Sequence, residues 1–239
     1  MIPISDEIRS RRVPYVTYGL IAINVLVFLF AFLQGERVSA LLMTFGAVPA
    51  YITDPANHPL AFLTLLTSMF LHGGWLHLLG NMLYLFIFGD NVEDELGHVG
   101  YTLFYLAAGV IAGLAQVIVA PRATVPAVGA SGAIAGVLAV YLVLYPTAPV
   151  RVLVPSFYFM RTARVPAVIV LGMWFVIQLF NGFLSLGMQT MATGGVAWFA
   201  HIGGFVAGLV VGLVLRTTRP RPPRIAQPPY PLQRQPPWR

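Results

Sequence analysis

The sequence predicts an all-α membrane protein, a bundle of six apolar helices, and three observations carry that reading. Of 239 residues, 58% are hydrophobic and 9% charged, with a mean hydropathy of +0.79, which leaves too little polar surface for a water-soluble domain of this size. Six apolar stretches recur along the chain, separated by Pro, Gly and charged residues. All 14 cationic side chains are Arg, and they stand in the flanks and connections of those stretches. Membrane topology explains that placement, so no nucleic-acid partner is expected despite the formal charge of +6. The absence of cysteine excludes disulfides, thiol catalysis and thiolate metal sites.

Residues 1–15 read as a polar cytoplasmic segment carrying Arg9, Arg11 and Arg12. The first span, 16–33, is about long enough for a ~30 Å hydrocarbon core at 1.5 Å per residue. A long mixed connection follows over 34–66, with Pro49, Pro55, Pro59, Asp54 and His58, and connections of that length carry structure or a task. The second span, 71–88, holds His72, His77 and Asn81 and ends at an acidic turn, Asp90, Glu93, Asp94 and Glu95. The third span is 101–119.

The fourth span, 131–145, is short: its ~15 residues reach about 22 Å, less than the ~30 Å core. It must therefore begin below one membrane surface, where non-helical backbone is tolerated only if it is buried in protein or lines a wet cavity. Residues 146–166 form a polar connection with Arg151, Arg161 and Arg164. The fifth span covers 167–186, an uncharged loop covers 187–195, and the sixth span, 196–215, has His201 near its start. The Pro- and Arg-rich residues 216–239 have no apolar period and are expected to be disordered. Residues 16–215 thus form one helical domain between two cytoplasmic tails.

With six spans, 12 of the 14 Arg fall on one side, together with both termini. The positive-inside rule makes that side cytoplasmic, and a plasma or inner membrane is expected. Spans two, four and six then run in the same direction, so residues near their beginnings share a depth. His72, His77, Ser131 and His201 converge on one level near the outer leaflet, and costly intramembrane polar groups at one depth imply a shared cavity.

The segment 126–136, Pro-Ala-Val-Gly-Ala-Ser-Gly-Ala-Ile-Ala-Gly, puts the Ser131 hydroxyl and an unpaired amide at one helix start. His201 is the natural general base for this poor nucleophile. His77 and Asn81, spaced i, i+4, can aim donors at a developing oxyanion beside the Ser131 amide. No acidic residue lies within a span to orient His201, so a Ser-His dyad is expected, without metal or cofactor. Gly204, Gly208 and Gly212 let a neighbouring helix approach closely; if that helix is the fourth span, with Gly132 and Gly136, the same contact holds Ser131 near His201.

These residues resemble the rhomboid intramembrane serine proteases. The matching pieces are His72-Gly-Gly-Trp-Leu-His77-Leu-Leu-Gly-Asn81, Gly129-Ala-Ser131-Gly132 and His201-Ile-Gly-Gly204-Phe-Val-Ala-Gly208, in the family's order. The resemblance implies a six-helix rhomboid-like bundle and cleavage of single-span or polytopic transmembrane substrates in the bilayer. It also implies Ser131 as nucleophile, His201 as base, and His77 with Asn81 at the oxyanion. Two family features are missing. The Trp-Arg pair of the first loop is replaced by the stretch from Phe62 to Leu66, and Ala135 stands where some members stack a Tyr on the base. Two other readings stay open: an inactive rhomboid-like protein that binds transmembrane clients, and a membrane metal or haem protein ligated by His72, His77 and His201.

Overall fold

A segment that is apolar on every side needs apolar neighbours on every side, and in this chain it takes the centre. The computed structural model describes residues 1–156, 159–187 and 197–218. Helix α6 (Ser131–Leu144) is buried without interruption from Gly132 to Tyr141. Around it stand α5 (Trp75–Val119), α7 (Ala167–Gly187) and α8 (Trp198–Thr218), and α1 (Tyr15–Leu33) packs on α5. Three short helices, α2 (Val38–Phe45), α3 (Pro49–Ile52) and α4 (Thr64–Thr67), build the connection between α1 and α5.

Among the described residues, four helices are long and apolar enough to cross a membrane: α1, α5, α7 and α8. The 45-residue α5 is interrupted at Gly97, where φ is 73° and ψ 161°. Positive φ at that position suits glycine alone at low cost. The chain reverses there. Along the first arm of α5, His77 lies at the start of α6 beside Gly129 and Phe88 packs on Tyr141 near its end, so the two run parallel. Along the second arm, Ala112 faces Gly132 and Ala108 faces Gly136, so the direction is opposite. The acidic turn expected after the second span is therefore helix continuing to the kink, and Glu93, Asp94 and Glu95 are buried within it.

Burial of Glu93 has a structural cause. Its carboxylate accepts the backbone N–H groups of Val16 (2.9 Å) and Thr17 (2.8 Å), the Thr17 hydroxyl (2.7 Å) and His98 Nδ1 (2.6 Å). One side chain thus satisfies unpaired donors at the start of α1, where a negative charge also meets the positive end of the helix dipole.

The bundle is not all-α. A three-stranded antiparallel sheet joins β1 (Ile2–Asp6), β2 (Pro149–Ser156) and β3 (Phe159–Pro166) in that order. Its strand signal lies in a segment that composition marks only as a polar connection. Val150 and Val152 alternate with Arg151, and both valines are fully buried against the bundle. Exposed Arg151 and Arg164 bind Glu7 at 3.2 and 2.9 Å.

At the end of β1, Asp6 accepts hydrogen bonds from Tyr141 (2.6 Å) and Asn91 (3.0 Å). Burial pushes its carboxyl up to about 7; neighbouring Asp90 adds to the rise, and the Tyr141 hydrogen bond offsets part of it. The folded state therefore binds this proton more tightly than the unfolded chain does. Its stabilising contribution is complete below pH ~4 and declines as pH rises to about 7. The unfolding temperature in detergent is expected to fall over that window, and Asp6→Asn is expected to flatten the dependence.

Candidate active site

Gly129 sets up the start of α6. Its φ is 125°, which an L side chain rarely adopts, and its N–H is held by the Ser68 carbonyl at 2.9 Å. Two residues earlier, Ala127 forms an antiparallel bridge with Ala47. These ties, with Thr67 Oγ1 donating to the Phe45 carbonyl (2.6 Å), fix the α1–α5 connection against the segment leading into Ser131. The connection is thus anchored without the missing Trp-Arg pair.

Ser131 is the first residue of α6, so its amide points out of the helix with no partner one turn back. Its hydroxyl donates to His201 Nε2 at 2.7 Å. The distance follows from the packing of α6 on α8. A Cβ at Gly204 would fall on the Gly132 carbonyl oxygen, and one at Gly208 on that of Gly136, so only glycine allows the two backbones to meet.

His77 and Asn81 also reach this point. A Cβ on Gly129 would lie 2.7 Å from His77 Nε2 and 3.5 Å from Asn81 Nδ2, which sets both side chains beside the turn before Ser131. Three helices therefore bring together Ser131, His201, His77 and Asn81. Asn81 is held in place by His72, whose Nε2 accepts the Asn81 amide N–H at 2.9 Å. His72 stood in the same motif, but only the fold reveals its partner.

Gln178 was missed. Its Oε1 lies 2.7 Å from His201 Nδ1, and the residue is only 6% exposed. A carbonyl oxygen can only accept, so Nδ1 carries the proton and Nε2 offers its lone pair to Ser131. The signal was in the sequence: Gln178, with Asn181 one turn on, interrupts a largely apolar stretch, and intramembrane polar residues are rarely idle. Trp174 and Trp198 lie beside the His201 ring, with centroids at 5.9 and 6.1 Å, in a site where Ala135 offers no aromatic ring.

The three histidines that could serve as metal ligands stand near one another, His72 and His77 with ring centroids 5.1 Å apart, but His72 and His201 are held by protein groups. Both nitrogens of His201 are engaged by protein groups, and His72 Nε2 is engaged by Asn81. Among the described residues, no group of three His, Asp or Glu side chains is disposed to hold a metal ion. A cavity of about 40 Å³ adjoins Ser131 and is lined by Ser68, Met69, Gly129, Gly132 and Ala200, among others. A larger one, about 490 Å³, lies within the α1–α5 connection around Met43, Tyr51 and His58, without touching the Ser131 site.

A sequence model of the Rhomboid domain matches residues 59–218, about two thirds of the chain and every residue of this site. The chain belongs to the rhomboid family. It is 34% identical over 161 residues to Rhomboid-like protein 11, chloroplastic, of Arabidopsis thaliana, covering 65% of this chain and 52% of that relative. It is 30% identical over 203 residues to Rhomboid protease GluP of Bacillus subtilis (strain 168), covering 84% of this chain and 35% of GluP. Presenilin-associated rhomboid-like protein, mitochondrial, of Homo sapiens is 33% identical over 154 residues, 63% of this chain and 38% of that relative. The match spans about half the length of the chloroplastic relative and about a third of GluP. With its long apolar helices, this rhomboid is an integral membrane protein.

Proposed function

We propose that this rhomboid is an intramembrane serine endopeptidase that cuts transmembrane substrates with Ser131 as nucleophile and His201 as base. The observation that carries the reading is the 2.7 Å hydrogen bond between Ser131 Oγ and His201 Nε2 in a site that also holds His77 and Asn81. Attack of Oγ on the scissile carbonyl transfers the Ser131 proton to Nε2. The resulting oxyanion takes hydrogen bonds from the Ser131 amide and from the His77 and Asn81 side chains, which are preorganised where charge develops. His201 then protonates the leaving amine, leaving an acyl-enzyme. It deprotonates the water that releases the acid product.

The cavity beside Ser131 is small, about 40 Å³, and is lined largely by Gly and Ala, which supports a small residue at the cut. Unwinding a substrate helix in lipid exposes backbone groups, so helix-weakening residues near the cut favour cleavage. The substrate helix enters beside α7, and water for deacylation reaches the site from the outer face over the 187–195 loop, which from residue 188 onward lies outside the described residues. Six segments cross the bilayer in this reading: α1, the two arms of α5, α6, α7 and α8. Both termini are cytoplasmic, and residues 16–215 form the protease domain. The expected disorder of 216–239 lies, from residue 219 onward, outside the described residues.

The test is cleavage of a transmembrane reporter in detergent by wild type, Ser131→Ala and His201→Ala. Wild type is expected to cut, and each variant to lose about 10⁴-fold or more in rate, as when the nucleophile or base of a serine protease is removed. Undiminished cutting by both variants would move the site elsewhere. A wild type that neither cuts nor labels at Ser131 with a fluorophosphonate would point to client binding without proteolysis.

A further inference from the structure

We propose that Gln178 is the positioning residue of the catalytic base, and that α7 supplies through it a third member to what the sequence presents as a dyad. The inference rests on the proteolytic reading of the Ser131 site and deepens it. Its basis is a chain of three groups from three helices: Gln178 Oε1 to His201 Nδ1 at 2.7 Å, and His201 Nε2 to Ser131 Oγ at 2.7 Å. An imidazole between a hydroxyl and a pure acceptor has one useful arrangement. The proton sits on Nδ1, and the lone pair on Nε2 faces the hydroxyl it must deprotonate. Without the acceptor, the Nε2–H tautomer becomes accessible, and that tautomer cannot take the serine proton.

The placement of Gln178 is specific. Val176, Ile177 and Phe180 on the same helix are exposed, whereas Gln178 turns inward and is buried. Burying an amide in lipid-facing surroundings is costly unless it finds a partner, and its partner here is the base. The apolar contacts of α7 on α8 surround this bond: Phe175 stacks on Phe205 at 3.9 Å, Trp174 lies beside His201, and Gly182 admits Ile202. Docking of α7 thus sets the orientation of His201, and displacement of α7 releases it.

An amide oxygen differs from the carboxylate of a Ser-His-Asp triad in one measurable way. It fixes the tautomer while stabilising the imidazolium only modestly, because a neutral acceptor gains less than a charged one from the protonated ring. Gln178→Leu is therefore expected to lower kcat by about 100-fold with little change in KM, as misplacement of a catalytic group does. The acidic limb of kcat/KM is expected to move to lower pH by about half a unit, since a hydrogen bond to the charged ring is worth more than one to the neutral ring. Gln178→Glu is expected to recover most of the rate and to move that limb to higher pH. Opposite shifts from the two variants mark a positioning role; a residue that merely ties α7 to α8 would move neither.

The tautomer can be read without any substrate. Ring ¹⁵N shifts of His201 in the full-length protein in detergent are expected to report Nδ1–H in the wild type and a mixture in Gln178→Leu. An unchanged tautomer in folded Gln178→Leu overturns the proposal, as does an acidic limb that stays in place in both variants. If Gln178→Leu fails to fold, Gln178→Glu decides: a wild-type acidic limb there overturns the role. A wild type that cleaves nothing removes the proteolytic reading, and the tautomer alone then judges Gln178.

Discussion

Gly204→Ala is expected to cut proteolysis by about 100-fold, the scale of loss for an ~1 Å misplacement of reacting groups. The added methyl has nowhere to go. A Cβ at this position falls on the Gly132 carbonyl oxygen, and that atom is backbone, one residue from the nucleophile. Relief requires α6 and α8 to separate, which draws His201 away from Ser131. The accompanying loss of stability is expected to be about 1–3 kcal/mol, typical of overpacking. Gly208→Ala meets the Gly136 carbonyl in the same way, one turn further from the site. It is expected to cost similar stability with a smaller loss of activity. Gly19 and Gly172 serve as controls, since a Cβ at either has nothing within 4 Å. Alanine there is expected to leave activity intact and to stabilise its helix by about 0.5–1 kcal/mol. Thermal unfolding and reporter cleavage on the four variants check the set, and equal losses at Gly172 and Gly204 would refute a packing origin.

That glycine contact was legible because it is written locally on each helix: Gly132 and Gly136 on one, Gly204 and Gly208 on the other, both at four-residue spacing. The order of apolar segments was legible for the same reason. A membrane span announces itself over about 20 consecutive residues, and a short span beginning with Gly-Ala-Ser-Gly announces its own depth. The sheet was harder to see. Pairing of Ile2 with Leu153 joins the first residues of the chain to a segment far along it, and the alternation of Val150, Arg151 and Val152 was outweighed by the charge and proline of its surroundings. The acidic residues misled in another way. A cluster such as Glu93, Asp94 and Glu95 reads as a solvated turn until the partners that bury it are known. Gln178 shows the same limit at the site. An amide in an apolar span flags itself as unusual, but Asn181 does so as well, and which of the two reaches an imidazole on another helix is a property of tertiary packing.

Glu93→Ala is expected to destabilise the bundle by about 3–5 kcal/mol, the range for breaking a buried charged network by removing one partner. Few side chains here satisfy so many donors: two backbone N–H groups at the start of α1, the Thr17 hydroxyl and His98 Nδ1 all converge on this carboxylate. Alanine leaves them without that acceptor in a site where Glu93 itself is only 2% exposed. Glu93→Gln keeps the volume but replaces one acceptor oxygen with an N–H₂ group, which would face donors, so a smaller loss is expected. Coupling to Thr17 separates this account from a simple packing defect. Thr17→Val removes one of the donors that Glu93→Ala strands, so the double variant is expected to be less destabilised than the sum of the singles by about 0.5–3 kcal/mol. Strict additivity in thermal unfolding would mean that the carboxylate stabilises the bundle by some route other than these bonds. Because α1 packs along the first arm of α5, and that arm carries His77 and Asn81 at its other end, losing Glu93 is also expected to loosen the oxyanion donors. Activity of Glu93→Ala should then decline at temperatures below its own unfolding transition.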